Sequence, residues 1–297
     1  MPQSADRTNG PWDVLSVVNW TAGHLHSSGI DSPRTTAELL VADALGMRRI
    51  DLYLHHDKPL QVRERDRIRN RIRRRLTREP TAYITGSRGF WTLDIAVSPN
   101  VLIPRPETEL LVESALERLP SGGGIRRVVE LGTGSGAVVA ALVSERPAHR
   151  YLATDLSPDA LRIARKNVAT AAAEPSVRFL CGDWFSPLSR RRARFDLVVS
   201  NPPYVSRKVL QTLQPEIVRF EPRLALDGGT DGLACLRCIL CDAHRYLSLK
   251  GWLLLEIGFD QKEAVERIAG RVGAYGPAEV RRDYGGCDRV VCLQRVR

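Results

Sequence analysis

Apolar residues recur along this chain in two rhythms, and the change between them divides it. Up to about Pro80 the spacing is helical: in TTAELLVADALGM, Leu39, Leu40, Ala44 and Leu45 fall on one side of a helix that Gly46 is placed to stop. Further on, Ile68, Ile72 and Leu76 recur at every fourth position of Arg63 to Arg78, RERDRIRNRIRRRLTR, which predicts an amphipathic helix with one apolar stripe and basic faces. From Phe90 to Val97 the period shortens to two, with aromatic and branched side chains, and a short β-hairpin is expected. After Pro104 and Pro106 a helix runs from Glu107 to about Leu119, ended by Ser121-Gly122-Gly123-Gly124.

Beyond that point strands and helices alternate. Strands are expected at Arg127 to Leu131, Tyr151 to Asp155, Val177 to Cys181, Phe195 to Ser200 and Trp252 to Ile257. Helices are expected at Ala137 to Glu145, Pro158 to Ala172 and about Gly232 to Leu247. Such alternation makes βαβ units and a mainly parallel sheet with helices on both faces, an α/β fold whose ligands bind at the carboxyl ends of the strands. Glu279 to Arg282 and Arg289 to Leu293, joined by Asp283-Tyr284-Gly285-Gly286, predict an antiparallel edge. Three regions follow: a helical domain over 12–82, a hairpin linker over 83–104 and an α/β domain over 105–297.

The composition, 43% hydrophobic and 26% charged, excludes a disordered or fibrous chain. No stretch approaches the roughly 18 apolar residues of a membrane span, and MPQSADRTNGPWD lacks the apolar segment of a secretory signal, so a cytoplasmic protein is expected. The net charge of +10 points to acidic partners or nucleic acid, and much of it is the arginine of 63–78. That helix is either a solvated face or a contact surface for RNA or an acidic protein. Cys235, Cys238 and Cys241 have a spacing that can serve an iron–sulfur cluster, but they sit in an expected helix with no fourth ligand nearby. Buried or half-buried thiols are the expectation, with no metal.

Candidate chemistry gathers at the strand ends. Glu130-Leu131 runs into Gly132-Thr133-Gly134-Ser135-Gly136 and then a helix, so the backbone can approach a ligand closely beside free helix N–H groups. The next strand ends at Asp155, placed to accept from both ribose hydroxyls of an adenosine, which NAD and S-adenosylmethionine both carry. After the third come Asp183, an acceptor for an adenine amino group, and Trp184, an aromatic for the ring to stack on.

The fourth strand ends in Ser200-Asn201-Pro202-Pro203-Tyr204. An amide or exocyclic NH2 is a poor nucleophile, because its lone pair is delocalised into the adjoining π system. Two fixed acceptors, the Asn201 side-chain oxygen and the Pro202 carbonyl, would hold such a nitrogen with its lone pair toward a methyl group. The stiff Pro202-Pro203 backbone sets them in place beforehand. Tyr204 can pack on the planar group and offer an electron-rich face to a sulfonium. No general base is needed, since the proton becomes acidic as the methyl arrives.

The glycine turn together with this tetrapeptide resembles the class I amino-methyltransferases, which modify adenine, guanine or glutamine nitrogens. Tyr83-Ile84-Thr85-Gly86, Phe90-Trp91, the run from Ser98 to Glu109, Phe220-Glu221-Pro222, Leu255-Glu256-Ile257-Gly258 and Asp283-Tyr284-Gly285 extend the likeness to the release factor glutamine methyltransferases, over roughly Glu38 to the end. The resemblance implies a seven-stranded Rossmann-like sheet with a small N-terminal helical domain and a β-hairpin linker. It also implies S-adenosyl-L-methionine as cofactor, S-adenosyl-L-homocysteine as product, and the Gly-Gly-Gln glutamine of class I peptide chain release factors as target. Cofactor positions then fall on Gly132 to Gly136, Asp155, Asp183, Trp184 and Asn201, and substrate positions on Asn201, Pro202, Pro203 and Tyr204. On the same resemblance Asn201, Pro202 and Tyr204 are expected to carry the catalysis. The departures are about a dozen extra residues at the start and an arginine-rich loop, Ser189 to Arg194.

Three rivals stand beside this reading: a methyltransferase for a ribosomal-protein glutamine, one for a nucleic-acid base flipped out of its stack, and a regulator that keeps the fold without activity. The helical domain and the IPRPETE run favour the release factor over the first. For the second there is no nucleic-acid module beyond the arginine helix, so direct nucleic-acid contact is possible but not required. An intact Asn201-to-Tyr204 motif argues against the third. No membrane contact is expected, and a monomer is.

Overall fold

The computed structural model describes residues 12–172, 176–189 and 194–297; most of the arginine-rich loop and nearly all of the extra leading residues lie outside these. The chain forms two compact units that divide between Gly86 and Ser87.

The first unit is helical: α1 (Val14–Ser27), α2 (Pro33–Leu45), α3 (Asp51–Leu54), α4 (Val62–Leu76) and α5 (Thr81–Thr85). Gly46 caps α2 in the left-handed region with φ 66°, as its place in the sequence requires. The buried stripe of α2 is Ala37, Leu40, Val41 and Ala44, while Leu39 and Leu45 are only half-buried. The expected face is thus rotated, because positions 37, 40, 41 and 44 follow the three-and-four spacing more closely. Ile68 and Ile72 of α4 are buried in the same apolar cluster as Val14, Val18, Leu25 and Leu40, with Leu76 packed at the margin. Several α4 arginines are engaged within the unit, Arg71 with Asp43, Arg69 with Asp66 and Arg74 with Glu79.

In the second unit a hairpin, β1 (Ser87–Phe90) and β2 (Leu93–Ala96), turns at Trp91. Trp91 has φ 57°, uncommon for a bulky residue, and its backbone N–H and indole N–H donate to Glu109 and Glu145, both at 2.8 Å. A 3-10 turn (Pro106–Thr108) and α6 (Glu109–Leu116) lead to β3 (Arg127–Leu131), α7 (Ala137–Glu145), β4 (Arg150–Asp155), α8 (Pro158–Ala171), β5 (Val177–Cys181) and β6 (Phe195–Ser200). Two short helices, α9 (Arg207–Leu210) and α10 (Pro215–Phe220), precede α11 (Ala234–Ala243), β7 (Leu247–Glu256), α12 (Lys262–Val272), β8 (Glu279–Arg282) and β9 (Asp288–Gln294).

The sheet has seven strands in the order β5-β4-β3-β6-β7-β9-β8, with β9 antiparallel to both neighbours. Its order reverses between β3 and β6, where Leu131 pairs with Ser200 and a crevice opens at the strand ends. Val129 and Leu131 pack toward α11 and α12. Alternation then sends Glu130 to the opposite face, where it meets the start of α7. Helices α9, α10 and α12 are not among the elements expected from the sequence, the helix expected from Glu107 opens as a 3-10 turn and ends at Leu116, and two further elements differ. Helix α11 is shorter, and β7 begins five residues earlier, because Lys250 takes φ 65° and lets Leu247 pair with Phe195 across an irregular register.

Candidate active site

Glycine is required by the backbone at the turn after β3. Gly132, Gly134 and Gly136 all have positive φ, 66°, 55° and 77°. At Gly136 a Cβ would also meet Ala164 of α8 at 2.8 Å, so this glycine lets helix and turn close together. At Gly132 a Cβ would meet the Trp184 ring at 3.2 Å: the indole lies against the turn itself. Asn167 of α8 donates to the Ser135 carbonyl at 2.8 Å and exchanges two bonds with Ala96 of β2, tying turn, helix and hairpin together.

A cavity of about 410 Å³ opens over this turn, within the size range of small-molecule sites. Gly132, Thr133, Gly134, Ser135, Asp155, Asp183, Trp184, Asn201 and Pro203 line it. Gly136 is not among the lining residues, and its part is the helix approach just described. A smaller cavity of about 50 Å³ adjoins, lined by Pro202 and Tyr204; Asn201, Leu102, Arg105 and Ala225 border both. The motif is therefore shared between the two hollows, with Asn201 bordering both, Pro203 the larger, and Pro202 and Tyr204 the smaller.

Asp155 accepts the Gly134 N–H through one oxygen and the Ser157 N–H through the other, each at 2.8 Å. Burial raises its carboxyl above the ordinary value and these N–H groups oppose the rise. A carboxylate offers about four acceptor sites, so these two bonds leave capacity for a ligand's hydroxyls.

Sequence reasoning assigned no role to Glu130, though a lone acid in the apolar strand RVVEL is a visible signal. Glu130 borders the large cavity, and its carboxyl accepts from the Thr133 hydroxyl at 2.6 Å and the Val139 N–H at 3.2 Å. Burial, with Asp155 nearby, pushes it up to about 8 against those two bonds. Glu221 was quoted only as part of a resemblance. It is buried, accepts from Arg105 at 2.5 Å and from the Ile103 N–H at 3.2 Å, and so fastens the segment before α6 to the loop after α10.

At the β6 end, Ser200 donates to the Leu131 carbonyl at 2.7 Å and locks the loop root to β3. Asn201 Nδ2 donates to Thr108 Oγ1 at 3.1 Å, and the Tyr204 hydroxyl to Glu256 at 3.2 Å. Gln261 donates to the Tyr204 carbonyl at 3.0 Å, holding the far end of the loop.

Cys235 is half-buried and borders the large cavity, whereas Cys238 and Cys241 are exposed on α11 rather than buried or half-buried as expected, because the helix buries the face of Leu236, Ile239, Leu240 and Ala243 and these two lie opposite it. No group of three or more metal-ligating side chains occurs among the described residues. Nor is any helix among them long and apolar enough to cross a membrane.

The profile of the PrmC N-terminal domain matches residues 16–86, and that of the methyltransferase small domain matches 106–230. A release factor glutamine methyltransferase of Geobacter sulfurreducens is 41% identical over 280 residues, 94% of this chain and 96% of that protein. One of Salmonella typhimurium is 43% identical over 262 residues, covering 88% and 92%. Among solved structures, a methyltransferase from Pyrococcus furiosus superposes with a TM-score of 0.52 at 19% identity over 77% of this chain and 99% of that one, a likeness of fold.

Proposed function

The chain belongs to the release factor glutamine methyltransferase family, and from that premise we propose that it transfers a methyl group from S-adenosyl-L-methionine to the glutamine side-chain amide of a class I peptide chain release factor, in the Gly-Gly-Gln tripeptide. The observation that carries the reading is Asn201, which borders both cavities and so stands where a cofactor and a substrate amide would meet.

The large cavity fits the cofactor in its donors and acceptors. The glycine turn from Gly132 to Gly136 supplies close backbone approach, and Asp155 supplies carboxylate acceptors for ribose hydroxyls. Asp183 and Trp184 border the same cavity and would take the adenine amino group and ring. Glu130, a buried acid with a raised pKa, is suited to a ligand that brings positive charge. When bound, S-adenosylmethionine supplies an electrophilic methyl group on a sulfonium centre.

The remaining work falls to the loop after β6. The Asn201 Oδ1 and the Pro202 carbonyl accept the two N–H bonds of the glutamine amide and turn its lone pair toward the methyl group, so that catalysis is chiefly orientation. Pro203 stiffens the acceptors, and Tyr204 borders the smaller cavity as the face on which the amide plane packs. The amide proton leaves to water or a backbone oxygen as the new C–N bond forms, and no side-chain base is assigned. A translation factor as substrate places the reaction in the cytoplasm.

The direct test is mass spectrometry of an unmethylated release factor incubated with the protein and S-adenosylmethionine, beside a factor whose Gly-Gly-Gln glutamine is replaced. The expected result is one methyl group on the tripeptide of the unaltered factor and none on the other. No gain with cofactor binding intact would redirect the assignment to ribosomal protein or a nucleic-acid base.

A further inference from the structure

Behind the Asn201 loop lies a carboxyl that orientation of the amide, as just described, does not use. Glu256 ends β7 and is fully buried. Its Oε1 accepts the Tyr204 hydroxyl at 3.2 Å, and its Oε2 is buried with no hydrogen-bond partner among the described residues. Thr108, buried at the end of the 3-10 turn, accepts Asn201 Nδ2 on its oxygen. That hydroxyl still has a proton to donate. No hydrogen bond joins it to Glu256 among the described residues, yet Oε2 is left open to receive that proton and the hydroxyl is one of the groups that draw the carboxyl's pKa down.

We propose that Glu256 is a positioning residue for methyl transfer: its carboxylate takes the hydroxyl protons of Thr108 and Tyr204 and thereby fixes which end of the Asn201 amide faces the target nitrogen. The inference rests on the reading of Asn201 as an acceptor for the substrate amide.

The need for such a device follows from the shape of asparagine. Its oxygen and its NH2 are nearly equal in size, so packing alone does not choose between them. A hydroxyl has one proton to give. Once Thr108 gives it to Glu256, the threonine oxygen can only accept, and Asn201 must present its NH2 there. Oδ1 is then left toward the cavities, where the substrate N–H needs an acceptor. The opposite orientation would set two oxygens against each other at Thr108 and a donor against a donor at the substrate. One carboxylate therefore aligns the first and last side chains of the Asn201-to-Tyr204 loop.

An ionised carboxylate only accepts, whereas a protonated one carries a competing donor. Burial pushes Glu256 up to about 7, against the pull of Thr108, Arg289 and Tyr204, with Glu107 adding to the rise. The charged groups facing it are thus Arg289 from β9 and Glu107 from the 3-10 turn, and Arg289 is itself paired with Asp283 at 3.1 Å. The aligned arrangement belongs to the ionised form and is lost as pH falls through that value.

The test uses the full chain, an unmethylated release factor and saturating S-adenosylmethionine, with kcat, KM for the factor and cofactor affinity by calorimetry. Thr108→Val, equal in shape but without the hydroxyl, is expected to lower kcat about tenfold or more, since misplaced reacting groups are costly. KM and cofactor affinity should stay within about twofold, and Thr108→Ser should restore most of the rate. Wild-type kcat should fall along a one-proton limb below about pH 7, and Glu256→Gln, which still offers an acceptor but does not titrate, should flatten that limb. Wild-type transfer with a Thr108→Val enzyme of unchanged kcat, or an acid limb that persists in Glu256→Gln, would overturn the positioning role. A wild-type enzyme that binds cofactor but leaves the factor unmethylated would instead overturn the reading beneath it.

Discussion

Each of the two units buries glutamate, and they treat it in opposite ways. In the helical unit Glu38 is buried on α2, yet Arg34 donates to it at 2.8 Å and both Arg49 and Tyr53 at 2.5 Å. Burial alone would raise its pKa, but those three donors outweigh it and hold the group down to about 2. In the α/β unit Glu130 and Glu256 have no ion pair among the described residues, and burial leaves them at about 8 and about 7. The first acid is finished with its partners and belongs to the fold. The other two keep acceptor capacity in a low-dielectric setting, which costs stability unless something arrives to use it. Both sit at the carboxyl ends of strands that border the candidate site. On the proposed reading the contrast separates groups that serve stability from groups that serve chemistry, and it can be broken by experiment.

The largest effect is expected where chemistry is most concentrated. On the proposed reading Asn201→Ala removes one of two acceptors for the target nitrogen, and kcat should fall by about 10²–10³-fold, as loss of an aimed hydrogen-bonding group does elsewhere. Cofactor affinity should largely survive and the thermal midpoint should hardly move, because the loop stays anchored by Ser200 and Gln261. Calorimetry beside the transfer assay decides it, and a loss of cofactor binding as severe as the loss of activity would sink this division of labour.

For the helical unit the expectation reverses: stability suffers and turnover per folded molecule does not. Glu38→Gln leaves two arginines facing a neutral group and should cost about 2 kcal/mol of local stability. Hydrogen exchange of the α2 amides reads this directly. The pH dependence has a definite sign. A carboxyl whose folded pKa is about 2, below its ordinary 4.5, contributes stability that is complete above about pH 4.5 and fades as pH falls toward 2. The variant should lack that fading, and unchanged α2 exchange would place Glu38 outside the stabilising set.

The sequence made one half of this contrast easier to read than the other. Glycines at 132, 134 and 136 and the Asn201-Pro202-Pro203-Tyr204 loop are local signals, since positive φ and a stiff backbone are written into residue type. The strand and helix succession was legible for the same reason, as periodicity is a local property. Thr108 with Asn201, and Glu256 with Tyr204, are far apart in sequence and meet only through the strand order, so no spacing rule announces their bonds. The same holds for Asn167, whose bonds to Ala96 and Ser135 depend on where α8 lies. The early start of β7 was hidden because Lys250 and Gly251 read as a loop, although the strand continues through them by a left-handed residue.

The smallest effect sharpens the contrast most, because it measures an acid's charge rather than its removal. If Glu130 is held at about 8 in the free protein, most of it is protonated at pH 7. A ligand bringing positive charge to that cavity favours the ionised form, so binding should expel the proton. About 0.9 of a proton per site would be released at pH 7, dwindling above about pH 9, and affinity would weaken up to about tenfold per unit as pH falls further below 8. Calorimetry of S-adenosylmethionine binding in two buffers of different ionisation enthalpy reports this number, with Glu130→Gln giving the background from every other group. The difference between the two proteins is the quantity of interest. A difference near zero would mean that Glu130 keeps one protonation state throughout, which would make it a structural acid like Glu38 and erase half of the contrast. A difference near one would identify burial without a partner, at a strand end facing the cavity, as the mark of a group held ready for a ligand.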